Sequence, residues 1–133
     1  MRVKAFLFAL CSILLLGACG TPKTGGTVYN IMDYGAKGDG VTDDAAAIQA
    51  AIDQCSKSGG GTVLVPAGRI FMCSPFHLAS FVELHLEPNS CLLANPDEAA
   101  YSLSAFRDNR GEGMMWIYGQ DLKEVSITGT GTI

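Results

Sequence analysis

The sequence predicts an all-β solenoid, a parallel β-helix, closed at its N-terminal end by one amphipathic α-helix. Three observations predict it. Short apolar strands come in pairs around tight turns of small residues, the pairs recur every few tens of residues, and one segment of helical periodicity precedes the first pair. In such a stack each rung buries its apolar face only against the next, so the first rung needs a cover over its apolar surface and open strand edges.

The chain has 133 residues, and its start is a targeting signal rather than part of the fold. Arg2 and Lys4 are basic, and Ala5 to Ala18 is apolar apart from Ser12, a length that suits a signal-peptide core and is short for a bilayer span. Leu16-Gly17-Ala18-Cys19 resembles the lipobox of bacterial lipoproteins, which predicts removal of residues 1–18 and acylation of Cys19. Ordinary secretion with Cys19 as a free thiol is the alternative. Residues 19–28 then form the lipidated cysteine and a flexible Gly/Thr/Pro/Lys tether, and residues 29–133 form the folded part. The expected location is the bacterial cell envelope, with the membrane as a partner through the anchor, in the periplasm or at the outer membrane or cell surface.

Of 9 basic and 13 acidic residues, the signal segment holds two basic and no acidic ones, so the mature chain carries 7 against 13, a net charge of −6. That balance argues against nucleic acid as a partner. It gives no general attraction for an acidic polysaccharide either. Beyond Cys19 the cysteines are Cys55, Cys73 and Cys91, an odd number that allows at most one intramolecular disulfide and has no metal-site spacing. Their apolar or helical surroundings favour a role as small buried hydrophobes.

Along the folded part, Tyr29 to Tyr34 reads as extended, and the glycine-rich Gly35 to Gly40 as a loop. Thr42, Asp43 and Asp44 offer N-cap oxygens and negative charge to a helix that starts at Ala45-Ala46-Ala47. Ile48, Ile52 and Cys55, with Ala45 and Ala51 beside them, share one face, and Gly59-Gly60-Gly61 ends the helix. Three strand–turn–strand units follow. The first runs from Thr62-Val63-Leu64-Val65 through Pro66-Ala67-Gly68 to Arg69–Met72. The second runs from the alternating Val82 to Glu87 through Pro88-Asn89-Ser90 to Cys91-Leu92-Leu93. The third runs from Val125-Ser126-Ile127-Thr128 through Gly129-Thr130-Gly131 to Thr132-Ile133. Between the last two, Asn95 to Gly113 is a polar excursion carrying Arg107, Asp108, Asn109, Arg110 and Glu112, and Met114 to Tyr118 returns as a strand. The chain stops at Ile133 inside a strand pattern, which reads as a fragment of a longer protein.

Asp33-Tyr34-Gly35-Ala36-Lys37-Gly38-Asp39-Gly40, then Thr42-Asp43-Asp44, Ala47 to Ile52, Gly59 to Val63 and Val65-Pro66-Ala67-Gly68 resemble the opening of pectate-lyase-superfamily right-handed β-helix proteins. Leu84 to Ser90 with Leu92-Leu93-Ala94, and Trp116 to Leu122 running into Val125 to Ile133, are similar to family 28 glycoside hydrolases of polygalacturonase type. The resemblance implies a pectic polysaccharide as substrate and inverting hydrolysis by aspartates, with two carboxyl groups roughly 6.5–9.5 Å apart around the attacking water. That family's Asn-Thr-Asp, Asp-Asp, Gly-His-Gly and Arg-Ile-Lys motifs fall beyond Ile133, so no catalytic residue is assigned here and this chain alone is expected to be inactive. No cofactor is implied, and a monomer is expected.

Among the residues themselves, Asp43-Asp44 reads as helix capping rather than a catalytic pair. His77 and His85 lack a metal-spaced partner or a neighbouring nucleophile, and His85 alternates with apolar neighbours, so it faces outward. Trp116 and Tyr118 share one side of a strand, where packing is favoured over stacking on a sugar ring. Gly59-Gly60-Gly61 precedes a strand and lacks the Lys-Ser or Lys-Thr of a phosphate loop. Asp39 to Asp44 lacks calcium-loop spacing, so no metal is predicted. Two other classes stay open: a non-catalytic polysaccharide-binding or structural β-helix lipoprotein, and a pectate-lyase-type eliminase that abstracts a proton beside the uronate carboxyl.

Overall fold

The computed structural model describes residues 26–102 and 114–133. The signal segment, Cys19, the tether up to residue 25, and Arg107, Asp108, Asn109, Arg110 and Glu112 lie outside the described residues. The strands are β1 Val28–Asn30, β2 Asp39–Asp43, β3 Gly61–Val65, β4 Ile70–Cys73, β5 Phe76–His77, β6 Val82–Leu86, β7 Cys91–Ala94, β8 Ile117–Tyr118 and β9 Ser126–Gly129, and α1 spans Ala45–Lys57. They form three sheets, ordered β1-β3-β6-β9, β2-β4-β7 and β5-β8, and every pairing is parallel. Successive coils of the chain therefore pass through the same three faces, as a right-handed parallel β-helix requires.

Alternation along the strands builds the interior. Val63 and Val65 of β3 sit in register with Leu84 and Leu86 of β6, and all four are buried. Phe71 pairs with Leu92 across β4 and β7, and Phe76 and Cys73 complete the layer. The tight turn between the first two strands of a rung puts Gly68 at φ 70° and, one rung on, Asn89 at φ 61°. Asparagine tolerates this left-handed setting better than other side chains do. A second left-handed column precedes the sheet of β3, β6 and β9, where Gly60, Phe81 and Glu124 occupy equivalent positions at φ 103°, 66° and 51°. At Gly60 a Cβ would lie 2.6 Å from the Phe81 carbonyl oxygen, so the packing there admits only glycine.

The cap follows the apolar stripe. Ala47, Ile48, Ala51, Ile52 and Cys55 are buried against the end of the stack, and each isoleucine contributes about 1.5–3 kcal/mol by leaving water. Polar residues then fix the seat of the helix. Gln49 Oε1 accepts the His77 amide at 2.9 Å and its Nε2 donates to the His77 carbonyl at 3.2 Å. One side-chain amide thus takes the place of a neighbouring strand along the edge of β5 that faces α1. Ser56 Oγ donates to the Ser80 carbonyl at 2.9 Å and ties down the far turn.

The structure corrects several expectations. Tyr29 to Tyr34 is not extended throughout: β1 ends at Asn30, and Ile31–Tyr34 is a 3-10 helix capped by Asn30 Oδ1 on the Met32 amide and by left-handed Gly35. That turn places Ile31 in the core with no exposed surface. The Gly35–Gly40 loop gives way to a strand at Asp39, which no periodicity announced because β2 buries almost none of its side chains and holds β4 through its main chain. Strand β5 is two residues long, below what alternation can register, and only Ile117–Tyr118 of the expected Met114–Tyr118 segment pairs as strand. Cys55 and Cys73 are buried free thiols as expected, whereas Cys91 is half-buried.

Replacing Gln49 with Ala leaves both main-chain groups of His77 without their partner, and is expected to lower stability by about 1–2 kcal/mol in urea denaturation. Gln49→Glu, which keeps the acceptor but sets a carboxylate against the Asp53 carboxylate and the His77 carbonyl, is expected to lower stability at least as much.

Candidate functional site

Three polar clusters lie on the surface of the described residues. The first is the Asp39–Asp44 segment. Asp39 accepts the Val41 and Thr42 amides at 2.9 and 2.7 Å and the Thr42 hydroxyl at 2.7 Å, which hold its carboxyl down at about 2. For Asp43, burial acts to raise the pKa, but bonds from the Ser74 hydroxyl and amide, the Ala45 amide and Asn95 outweigh it, and the net shift is downward. Asp44 stands at the N-cap position without capping the helix. Its carboxylate turns back to accept the Lys37 and Gly38 amides at 2.7 and 2.9 Å, and it is Asp43 that takes the first helical amide. The pair is structural as expected, but it joins the loop, the helix and the next rung rather than serving as two caps.

The second cluster covers the outer face of the sheet β1-β3-β6-β9. Glu83 accepts the hydroxyl of Thr62 at 2.9 Å and that of Thr128 at 2.6 Å, and both bonds lower its pKa. His85 points outward as predicted and lies 2.7 Å from the Thr128 hydroxyl. Because Thr128 gives its one proton to the carboxylate, it accepts from His85 Nδ1–H. Sequence reasoning missed this ladder, although Thr62, Glu83, His85 and Thr128 are the polar members of the alternating strands that were recognised.

The third is a cleft of about 460 Å³ between the end of α1 and the sheet β5-β8, lined by residues that include Ser56, His77, Ser80, Tyr118 and Gln120. His77 lies 3.8 Å from Asp53 and tilts against Tyr118 with ring centroids 5.9 Å apart. Trp116 packs on the core and donates Nε1–H to the Cys73 carbonyl at 2.9 Å, as the packing expectation has it. Tyr118 does not join that core and stands at the cleft.

No group of three or more His, Cys, Asp or Glu side chains is placed to hold a metal among the described residues. A glycosidic general acid needs a raised pKa, and Asp39, Asp43 and Glu83 are all shifted the other way. Burial pushes the Cys73 thiol up to about 12, so it is not a nucleophile.

A family model described as rhamnogalacturonase A/epimerase, pectate lyase-like, matches residues 28–112. The chain belongs to this pectate-lyase-like family. Its fold is similar to that of an exopolygalacturonase from Thermotoga maritima, at 35% identity and TM-score 0.66 over 79% of this chain and 24% of that one. It is also similar to a family 28 exopolygalacturonase from Yersinia enterocolitica, at 27% identity and TM-score 0.67 over 78% of this chain and 20% of that one. Over 40 residues, 30% of this chain and 5% of the relative, it is 68% identical to alginate lyase 7 of Azotobacter vinelandii. The chain thus spans a small part of the length of each of these relatives.

The depressed carboxylates set the pH dependence of stability. Their hydrogen bonds contribute fully above the ordinary carboxylate values near 4, and the contribution is lost as pH falls through each depressed pKa, about 2 for Asp39. Denaturation at stepped pH is expected to show stability falling across that window, with a shallower fall for Asp43→Asn.

Proposed function

We propose that this chain is the N-terminal part of a glycoside hydrolase of polygalacturonase type that cleaves pectic polysaccharide with inversion. The similarity to the Thermotoga exopolygalacturonase carries this reading, because it runs through the cap helix and the rungs together over 79% of the chain. The chain's own share of the work is architectural. Its cap and first rungs fix the axis on which later rungs present the two carboxyl groups of the reaction. The carboxylates of Asp43 and Asp44, and that of Glu83 on the outer sheet face, are already engaged by amides or hydroxyls, which suits support rather than chemistry. We further propose, from Leu16-Gly17-Ala18-Cys19, that the protein is held in the cell envelope by a lipid at Cys19, and that it is a monomer.

The short stretch of 68% identity to an alginate lyase favours a second reading, in which the same stack carries eliminative cleavage of a uronate polymer. The products separate the two: hydrolysis leaves a saturated sugar at the new non-reducing end, and elimination leaves there an unsaturated uronate that absorbs in the ultraviolet.

Residues 19–133 alone are expected to release no reducing sugar from polygalacturonate, whereas the chain extended by its downstream coding sequence is expected to release saturated products whose first-formed anomer is inverted. Hydrolysis by residues 19–133 alone overturns the assignment of chemistry to later rungs. In a bacterial host, incorporation of labelled palmitate is expected for the full chain and is expected to disappear in Cys19→Ala.

A further inference from the structure

We propose that the corner of the stack at which the chain enters the fold, between the sheet β5-β8 and the sheet β1-β3-β6-β9, is the surface that lies on the lipid bilayer. The inference rests on the proposed lipid at Cys19 and adds to it the face that the membrane meets. Exposed apolar groups, the charges around them and the length of the tether support it.

The order of elements gives each coil three corners, and this one carries Gly26-Thr27, the end of α1 and the segments that lead into β6 and β9. Register places Gly26, Gly60, Phe81 and Glu124 in one column, each two residues before the paired Val28, Thr62, Glu83 and Ser126. The two glycines leave the first two places of the column without a side chain, and a hollow of about 340 Å³ opens there with Phe81 in its wall. Phe81 is 44% exposed and stands at φ 66°, a left-handed setting that strains a bulky residue. Its amide on the Lys123 carbonyl and its carbonyl on the Gly61 amide hold it there. Val28, two strands across and about 12 Å away, is 57% exposed. An aromatic and a branched aliphatic side chain held out beside the root of a lipid-bearing tether match the boundary between headgroups and acyl chains.

The exposed charges on the last two turns of α1 and on the loop before β9 are Lys57 and Lys123 against Asp53, Asp121 and Glu124. Two against three gives no attraction for an anionic surface, so the headgroups that fit are zwitterionic and offer a partner to either sign. The length of the tether decides between this corner and the other exposed apolar group, Val41, Ile70 and Leu93 on the strands β2, β4 and β7 across the coil. Seven residues lead from Cys19 to Gly26, a reach of at most about 25 Å. To turn the far sheet to the bilayer, the tether would have to run along a whole neighbouring face, and the five residues of β3 alone measure about 17 Å. At the corner none of that length is needed.

Amine labelling of the lysines, read by mass spectrometry, tests this on the chain purified with its lipid from a bacterial host and placed in phosphatidylcholine vesicles. Lys57 and Lys123 are expected to label several-fold more slowly than in Cys19→Ala, which has no anchor. Lys37, at the corner between β1 and β2, is expected to label equally in both. Phe81→Asn, which suits the left-handed backbone, is expected to keep the melting temperature and to lose most of the protection. Protection of Lys37, equal labelling with and without the lipid, or protection unchanged in Phe81→Asn overturns the proposal. Labelled palmitate is counted on the same samples. Its absence overturns the anchor at Cys19 and this proposal together, and its presence without protection overturns this proposal alone.

Discussion

Everything in this structure depends on one constraint: parallel strands stacked in register, so that each inward side chain meets the side chain at the same position one coil away. Val63 lies over Leu84 and Val65 over Leu86, and none of these contacts exists within a single rung. A rung in isolation would leave these residues wet, which is why the apolar stripe of α1 is as necessary to the fold as any strand. The polar groups obey the same register. Glu83 takes its hydroxyls from the strand before and the strand after, so the outer face is cross-linked coil to coil just as the interior is packed coil to coil.

The parts of the fold that were legible in the sequence are those where one face of an element is buried. Alternation identified β6 and helical spacing identified α1 with its buried Ile48, Ile52 and Cys55, because in both the buried face writes itself into the residue pattern, whereas β9, with Ile127 exposed, was legible only as a repeat of the strand–turn–strand unit. Where the main chain alone makes the pairing, the pattern is silent. Strand β2 has the composition of a loop, and β5 consists of Phe76 and His77 only. The turn at Ile31–Tyr34 was hidden for a related reason, since a buried isoleucine beside tyrosines reads equally well as strand.

Legibility of the polar sites divides along the same line. That Asp43-Asp44 is structural, that His85 faces outward and that Trp116 packs all follow from local sequence. The partners of these residues do not. Asp43 reaches Ser74 and Asn95, and His85 reaches Thr128, over separations of 31, 52 and 43 residues that only the length of a coil can bring together. The cleft was invisible for the same reason, because its walls come from the end of a helix, the turn after β5 and the turn after β8.

The pairing of Gln49 with the main chain of His77 has a consequence for accuracy of assembly. An apolar stripe tolerates a helix that rolls somewhat about its axis, whereas two hydrogen bonds from one side-chain amide to one residue do not. A shift of one position in α1 turns Gln49 about 100° away, and a slip of one residue in β5 turns the facing N–H and C=O to the opposite edge of the strand, away from the amide. The cap therefore acts as a gauge: both of its hydrogen bonds form only on a first rung whose strands lie at the right phase, so a misregistered start lacks them.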